Sequence, residues 1–172
     1  MKILVIQQKM IGDVLLSTLI CKNLKMWNSK ITVDFIANRH TLDVIRHNPY
    51  IDEIVVFEDD FKKNKWGFLK FLLNQRNKKY DYIIDCYGKL ESLLICAFTP
   101  AKKKIGFKKI NTILVYNHTI QRKIKQDSVL QLSTVNRFQL LEPIMGDAQK
   151  NSEVEIFLSD EEKLSSRKKW TR

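Results

Sequence analysis

The sequence predicts an open α/β sheet of mostly parallel strands. Short apolar runs too brief for helices alternate with stretches of helical period, and the chain opens on one such run, Lys2-Ile-Leu-Val-Ile6. A continuous apolar run of this length suits a strand buried on both faces, as parallel strands are. Strands alternating with helices of about 10–15 residues imply βαβ units, with helices covering both sides of the sheet.

Each element follows in turn. After Lys2–Ile6, Leu16, Leu19, Ile20, Leu24 and Trp27 recur at helical spacing, and Ile31–Ala37 is the second strand. Thr41–His47 is a short helix closed by Asn48-Pro49, because proline disfavours helical geometry in the residue before it. Glu53–Phe57 is a third strand, Asp60–Lys65 a polar connection, and Trp66–Arg76 a helix. Asp81–Cys86 is a strand, Leu90–Phe98 an apolar helix and Lys103–Phe107 a strand. Ile113–Tyr116 is expected as a further strand, Val129–Met145 as one helix and Glu153–Phe157 as an edge or crossover strand. Ser159 with Glu162 forms a capping-box pattern, so a last helix starts there.

Composition bounds the class. The 172 residues are 44% apolar, with 5 Gly and 3 Pro, which suits one domain with a core and excludes a disordered chain. No apolar stretch approaches the roughly 20 residues of a membrane span. The first strand is too short for a signal peptide, so the expected location is cytoplasmic. Cys21, Cys86 and Cys96 share no CxxC spacing and are expected as reduced, partly buried thiols. No metal site is expected, because His40, His47 and His118 lie in no ligand spacing with them.

The net charge is +11, from 30 Lys and Arg against 19 Asp and Glu. No carboxylate occurs between Ser92 and Gln126, whereas Lys102, Lys103, Lys104, Lys108, Lys109, Arg122, Lys123 and Lys125 all do. The run is either a solvated basic face or a surface for an anionic partner: a lipid headgroup, an acidic glycan or nucleic acid. Nucleic acid is set aside for want of a recognisable binding motif. Trp66, Phe68 and Phe71 read as the packed face of an amphipathic helix rather than a membrane-facing surface.

Ligands of such sheets bind beyond the carboxyl ends of the strands. The first turn there, Gln7 to Asp13, carries one glycine and is neither a dinucleotide fingerprint nor a P-loop. Two readings of Asp13 stand: a helix N-cap, or a general base aimed at a substrate hydroxyl.

Five blocks then occur in order. They are Lys2–Ile6 with Ile11-Gly12-Asp13-Val14-Leu15; Asn48 to Phe57; Tyr80 to Asp85 with Gly88, Ser92 and Lys103 to Phe107; Tyr116-Asn-His118; and Leu158 to Glu162. Together they resemble glycosyltransferase family 9, the lipopolysaccharide heptosyltransferases. The resemblance implies the N-terminal, acceptor-side half of a GT-B fold: a Rossmann-like acceptor domain over residues 1–158, with 159–172 opening the passage to a second domain. It implies metal-independent, inverting transfer of a sugar, heptose from ADP-heptose, to a lipopolysaccharide core or related glycan. Asp13 matches the catalytic base, and Gly12, Lys9, Gly88, Lys89 and Ser92 match acceptor-binding positions. Gln7, Lys9 and Met10 stand where the family often has an arginine and two small hydroxyl residues. No cofactor is implied beyond the nucleotide sugar, which the missing half would bind. The implied partner is an anionic glycolipid or glycan, with the basic run set towards the inner-membrane surface. The alternative is a non-catalytic module that only captures such a glycan.

Overall fold

The computed structural model describes residues 1–125 and 129–170, with the backbone alone for Lys62 and residues 166–170. Six strands form one sheet: β1 (Lys2–Ile6), β2 (Thr32–Asn38), β3 (Glu53–Phe57), β4 (Tyr80–Asp85), β5 (Ala101–Phe107) and β6 (His118–Ile120). Their order is β3-β2-β1-β4-β5-β6 and every pairing is parallel, so β1 lies inside the sheet and all the strands end on one edge.

The apolar run of β1 is explained by this position. Side chains alternate between faces of a strand. Ile3 and Val5 enter one core layer and Leu4 and Ile6 the other, all fully buried. The first layer is closed by α1 (Ile11–Trp27), α4 (Leu132–Gln139) and α5 (Glu142–Met145), through residues such as Ile20, Leu24, Leu140 and Met145. The second is closed by α2 (Lys65–Arg76) and α3 (Leu90–Phe98), through Leu72, Leu93 and Ile95. Phe68 and Phe71 pack edge-on against Phe57, as core packing requires, while Trp66 remains exposed.

Four expectations need correction. Thr41–His47 is not an α-helix: a 3₁₀ turn occupies Arg39–Val44 and turns follow it. Ile113–Tyr116 is not a strand. The buried Thr112 hydroxyl donates to the Phe107 carbonyl at 3.2 Å and accepts the Lys109 N–H at 2.8 Å, curling the segment back. The sixth strand therefore forms later, with His118 opposite Ile105. Val129–Met145 is not one helix, because Pro143 lacks the N–H needed to continue it and instead opens α5. Glu153–Phe157 pairs with no strand. It runs beside α1, where Lys22 meets Glu155 at 2.6 Å and Asn23 exchanges hydrogen bonds with the Asn151 backbone at 2.6 and 2.8 Å. The final helix, α6 (Asp160–Trp170), opens on the expected box: Ser159 N–H to Glu162 Oε2 at 2.7 Å, and Glu162 N–H to Ser159 Oγ at 3.2 Å.

Candidate functional site

The site grows from the turn between β1 and α1. Gln7 and Gln8 are buried, and the Gln8 carbonyl accepts the Asn38 N–H at 2.9 Å, tying the turn to the end of β2. Met10 then takes φ +65°, a left-handed conformation that costs a side-chain-bearing residue about 1–2 kcal/mol. This reversal starts α1 pointing back along the sheet. Gly12 follows on an open rim, where an added Cβ would meet nothing within 4 Å.

Asp13 is the third residue of α1, and Met10, in the cap position, offers the helix no side-chain bond. The N-cap reading of Asp13 is thereby corrected. Its carboxylate instead accepts a 2.8 Å hydrogen bond from Arg137 on α4. The same guanidinium donates to the Asp13 carbonyl at 3.1 Å, to Ser17 Oγ at 3.1 Å and to the Ser133 carbonyl at 3.0 Å. The arginine side chain is 8% exposed and the aspartate side chain 48%, so the cation is a buried clamp and the carboxylate keeps an open face.

That face lines a cleft of about 250 Å³. Arg122 borders it with its guanidinium 4.6 Å from the centre of the Phe107 ring. The Asn136 amide, on α4, holds the Lys123 backbone by bonds of 2.8 and 3.2 Å, so the segment after β6 is fastened over the cleft.

A second turn, after β4, adjoins it. The buried Asp85 carboxylate accepts the Tyr87 and Gly88 N–H groups at 2.9 Å each and the Tyr116 hydroxyl at 2.6 Å. Burial pushes its carboxyl above the ordinary range, against the pull of Tyr116, the Gly88 amide and Ser92. Gly88 has φ +58°, which the turn demands, and its carbonyl accepts Lys109 Nζ at 2.9 Å. Burial lowers the Lys109 pKa, and the nearby charges of Lys89 and Arg122 lower it further. Three cations therefore gather beside the cleft.

Of the residues singled out from sequence, Asp13 lines the cleft, Gly12 precedes it in α1 without lining the cleft, and Gly88 and Lys89 stand at the neighbouring cationic turn. Lys9 belongs to the same turn before α1, is not among the residues lining the cleft, and its charge helps to lower the Asp59 carboxyl just past β3. Ser92 is fully buried, its hydroxyl bonded to the Lys89 backbone at the start of α3. Arg137 was not singled out; Arg122 was named only within the basic run, and Asp85 and Tyr116 only within the family-like blocks, with no role given to any of the three. Among the described residues, no group of three His, Cys, Asp or Glu side chains could hold a metal ion.

An open parallel sheet with helices on both faces and a charged cleft at its carboxyl edge defines a Rossmann-like α/β domain. Residues 69–171 match the model of glycosyltransferase family 9 (heptosyltransferase), more than half of the chain. The chain belongs to that family. No curated protein matches its sequence. Among solved structures, it is similar to a family 9 glycosyltransferase from Veillonella parvula, at 16% identity and TM-score 0.80 over 99% of this chain and 49% of that one. It is also similar to Escherichia coli heptosyltransferase WaaC with ADP-2-deoxy-2-fluoro heptose, at 16% identity and TM-score 0.73 over 88% of this chain and 52% of that one. Escherichia coli ADP-heptose lipopolysaccharide heptosyltransferase II gives 17% identity and TM-score 0.72 over 99% and 51%. The sheet corresponds to a Rossmann-like half of the GT-B fold, and the chain spans about half the length of these structures.

Proposed function

We propose that this chain supplies the acceptor side of an inverting sugar transfer, with ADP-heptose as donor and a lipopolysaccharide core or related anionic glycan as acceptor. The observation that carries the reading is the Asp13 carboxylate, clamped from behind by Arg137 and open towards the cleft. In this reading Asp13 takes the proton of an acceptor hydroxyl while that oxygen bonds to the anomeric carbon. The bond from that carbon to the diphosphate breaks, and the nucleoside diphosphate leaves with the electron pair. Clamping keeps the base aimed, as general-base catalysis requires. Lys89, Lys109 and Arg122 take an anionic group of the acceptor. The donor is held by the other half of the GT-B fold, outside these 172 residues.

Calorimetric titration of the 172-residue chain with a deacylated, phosphorylated core oligosaccharide tests this. Binding is expected, weakened about tenfold or more by Lys89→Glu with Lys109→Glu. Asp13→Asn should leave it nearly unchanged, since the base acts on the proton and not on affinity. The same chain given ADP-heptose and acceptor should form no product. Absence of binding at low salt overturns the acceptor reading, and turnover by this chain alone overturns the division of labour.

A further inference from the structure

The loop joining β5 to β6 carries a feature that sugar transfer does not use. Ile110 is 97% exposed and Leu114 96%, and Ile113 between them is exposed too. Ile124, just past β6, is 83% exposed. The loop that carries them is braced. Thr112 is wholly buried and pins the base by its hydrogen bonds to Phe107 and Lys109. Tyr116 packs its ring on Gly106 and bonds Asp85, and Lys109 holds the Gly88 carbonyl. The aliphatic tips are thus presented outward from a fixed frame.

The surroundings select the partner. Exposed Lys108 and Lys109 directly precede the tips in the loop, exposed Lys125 follows Ile124 in the chain, and no carboxylate occurs from Leu93 to Lys125. Lysines are depleted from the cores of protein interfaces. At a bilayer surface the same mixture fits: aliphatic tips enter the acyl boundary while ammonium groups meet lipid phosphates. No described helix is long and apolar enough to cross a membrane, so contact of this kind is peripheral. We propose that the Lys108–Tyr116 loop inserts Ile110, Ile113 and Leu114 into an anionic lipid surface, with Ile124 alongside. It rests on the acceptor reading only for its purpose, which is to hold the cleft over a lipid-anchored acceptor.

The test needs no sugar, so its failure and that of the transferase reading are separable. The 172-residue chain is sedimented with vesicles of phosphatidylcholine, with and without phosphatidylglycerol. Binding is expected with the anionic vesicles, and Ile110→Asp with Leu114→Asp should weaken it about tenfold or more. The far-ultraviolet spectrum of that variant should be unchanged, because both side chains already face solvent, and its retention on heparin should match the parent. An environment-sensitive dye on Ile110→Cys should shift to the blue on binding. The proposal is overturned if the double variant binds anionic vesicles as well as the parent. A dye that stays in water on the bound protein, or a parent that binds heparin and no vesicle, overturns it equally.

Discussion

Arg137 and Asp13 are 124 residues apart, and the 2.8 Å bond between them joins α4 to the first turn of α1. Arg137 is the buried member and makes the additional bonds to Ser17 and Ser133. Arg137→Met is expected to cost about 1–3 kcal/mol, the range for losing hydrogen bonds to a charged group. Arg137→Lys keeps the charge but loses the planar fork, and should fall between parent and methionine. Urea unfolding measures both. A methionine variant within about 0.5 kcal/mol of the parent would show that the clamp adds nothing to stability.

Asp85 gives a pH dependence of unusual sign. Because burial raises its folded pKa, the folded protein holds this proton more tightly than the unfolded chain does. Its contribution is complete below the ordinary carboxyl range and is lost as pH rises through the raised folded value. Asp81, lowered by its bonds to Lys102 and the Lys2 N–H, and Glu58, lowered chiefly by Arg39, act oppositely and lose their contribution in acid. Asp85→Asn removes only the first effect. Melting temperatures of parent and variant should diverge in the variant's favour as pH rises from about 4, near the ordinary carboxyl pKa. Parallel curves would count against it.

Gly106 is a packing glycine. A Cβ there would strike the Tyr116 ring, which cannot retreat without giving up its bond to Asp85. Gly106→Ala is expected to destabilise by about 1–3 kcal/mol, as overpacking does. Tyr116→Phe keeps the ring and removes the hydroxyl, leaving the carboxyl one partner short, at a similar cost. Calorimetric melting reads both, and an unchanged Gly106→Ala would mean that the ring moves freely.

The three thiols should be inert in the folded chain. Burial pushes Cys86 up to about 12 and raises Cys21 and Cys96 well above the usual thiol range, so little thiolate exists at neutral pH. A maleimide reagent should label none of them quickly in native buffer and all of them in denaturant. Fast labelling of Cys86, which borders the cleft, would contradict its burial.

Much of the fold was legible in the sequence, because β1, β4 and the covering helices are patterned locally. Apolar runs such as Ile3–Ile6 mark strands buried on both faces, wherever their partners lie. The sixth strand was misplaced because Thr112 and Gly106 decide where it starts, through contacts that no period records. Glu153–Phe157 alternates like a strand, yet its charged members serve α1 and not a ladder. Asp13 was singled out by its place after the first strand. Arg137 was not, since a polar residue in a helix says nothing about a carboxylate on another helix far back in the chain.

The wide separation of Asp13 and Arg137 also orders events during synthesis. A ribosome releases the carboxylate long before the helix that aims it, 124 residues later. Strand β1 waits likewise for β4, which pairs beside it. The carboxylate is therefore aimed only after the sheet and α4 have assembled. A nascent or partly opened chain carries the acid without its alignment, so maturation of the cleft should track docking of α4 rather than formation of the sheet.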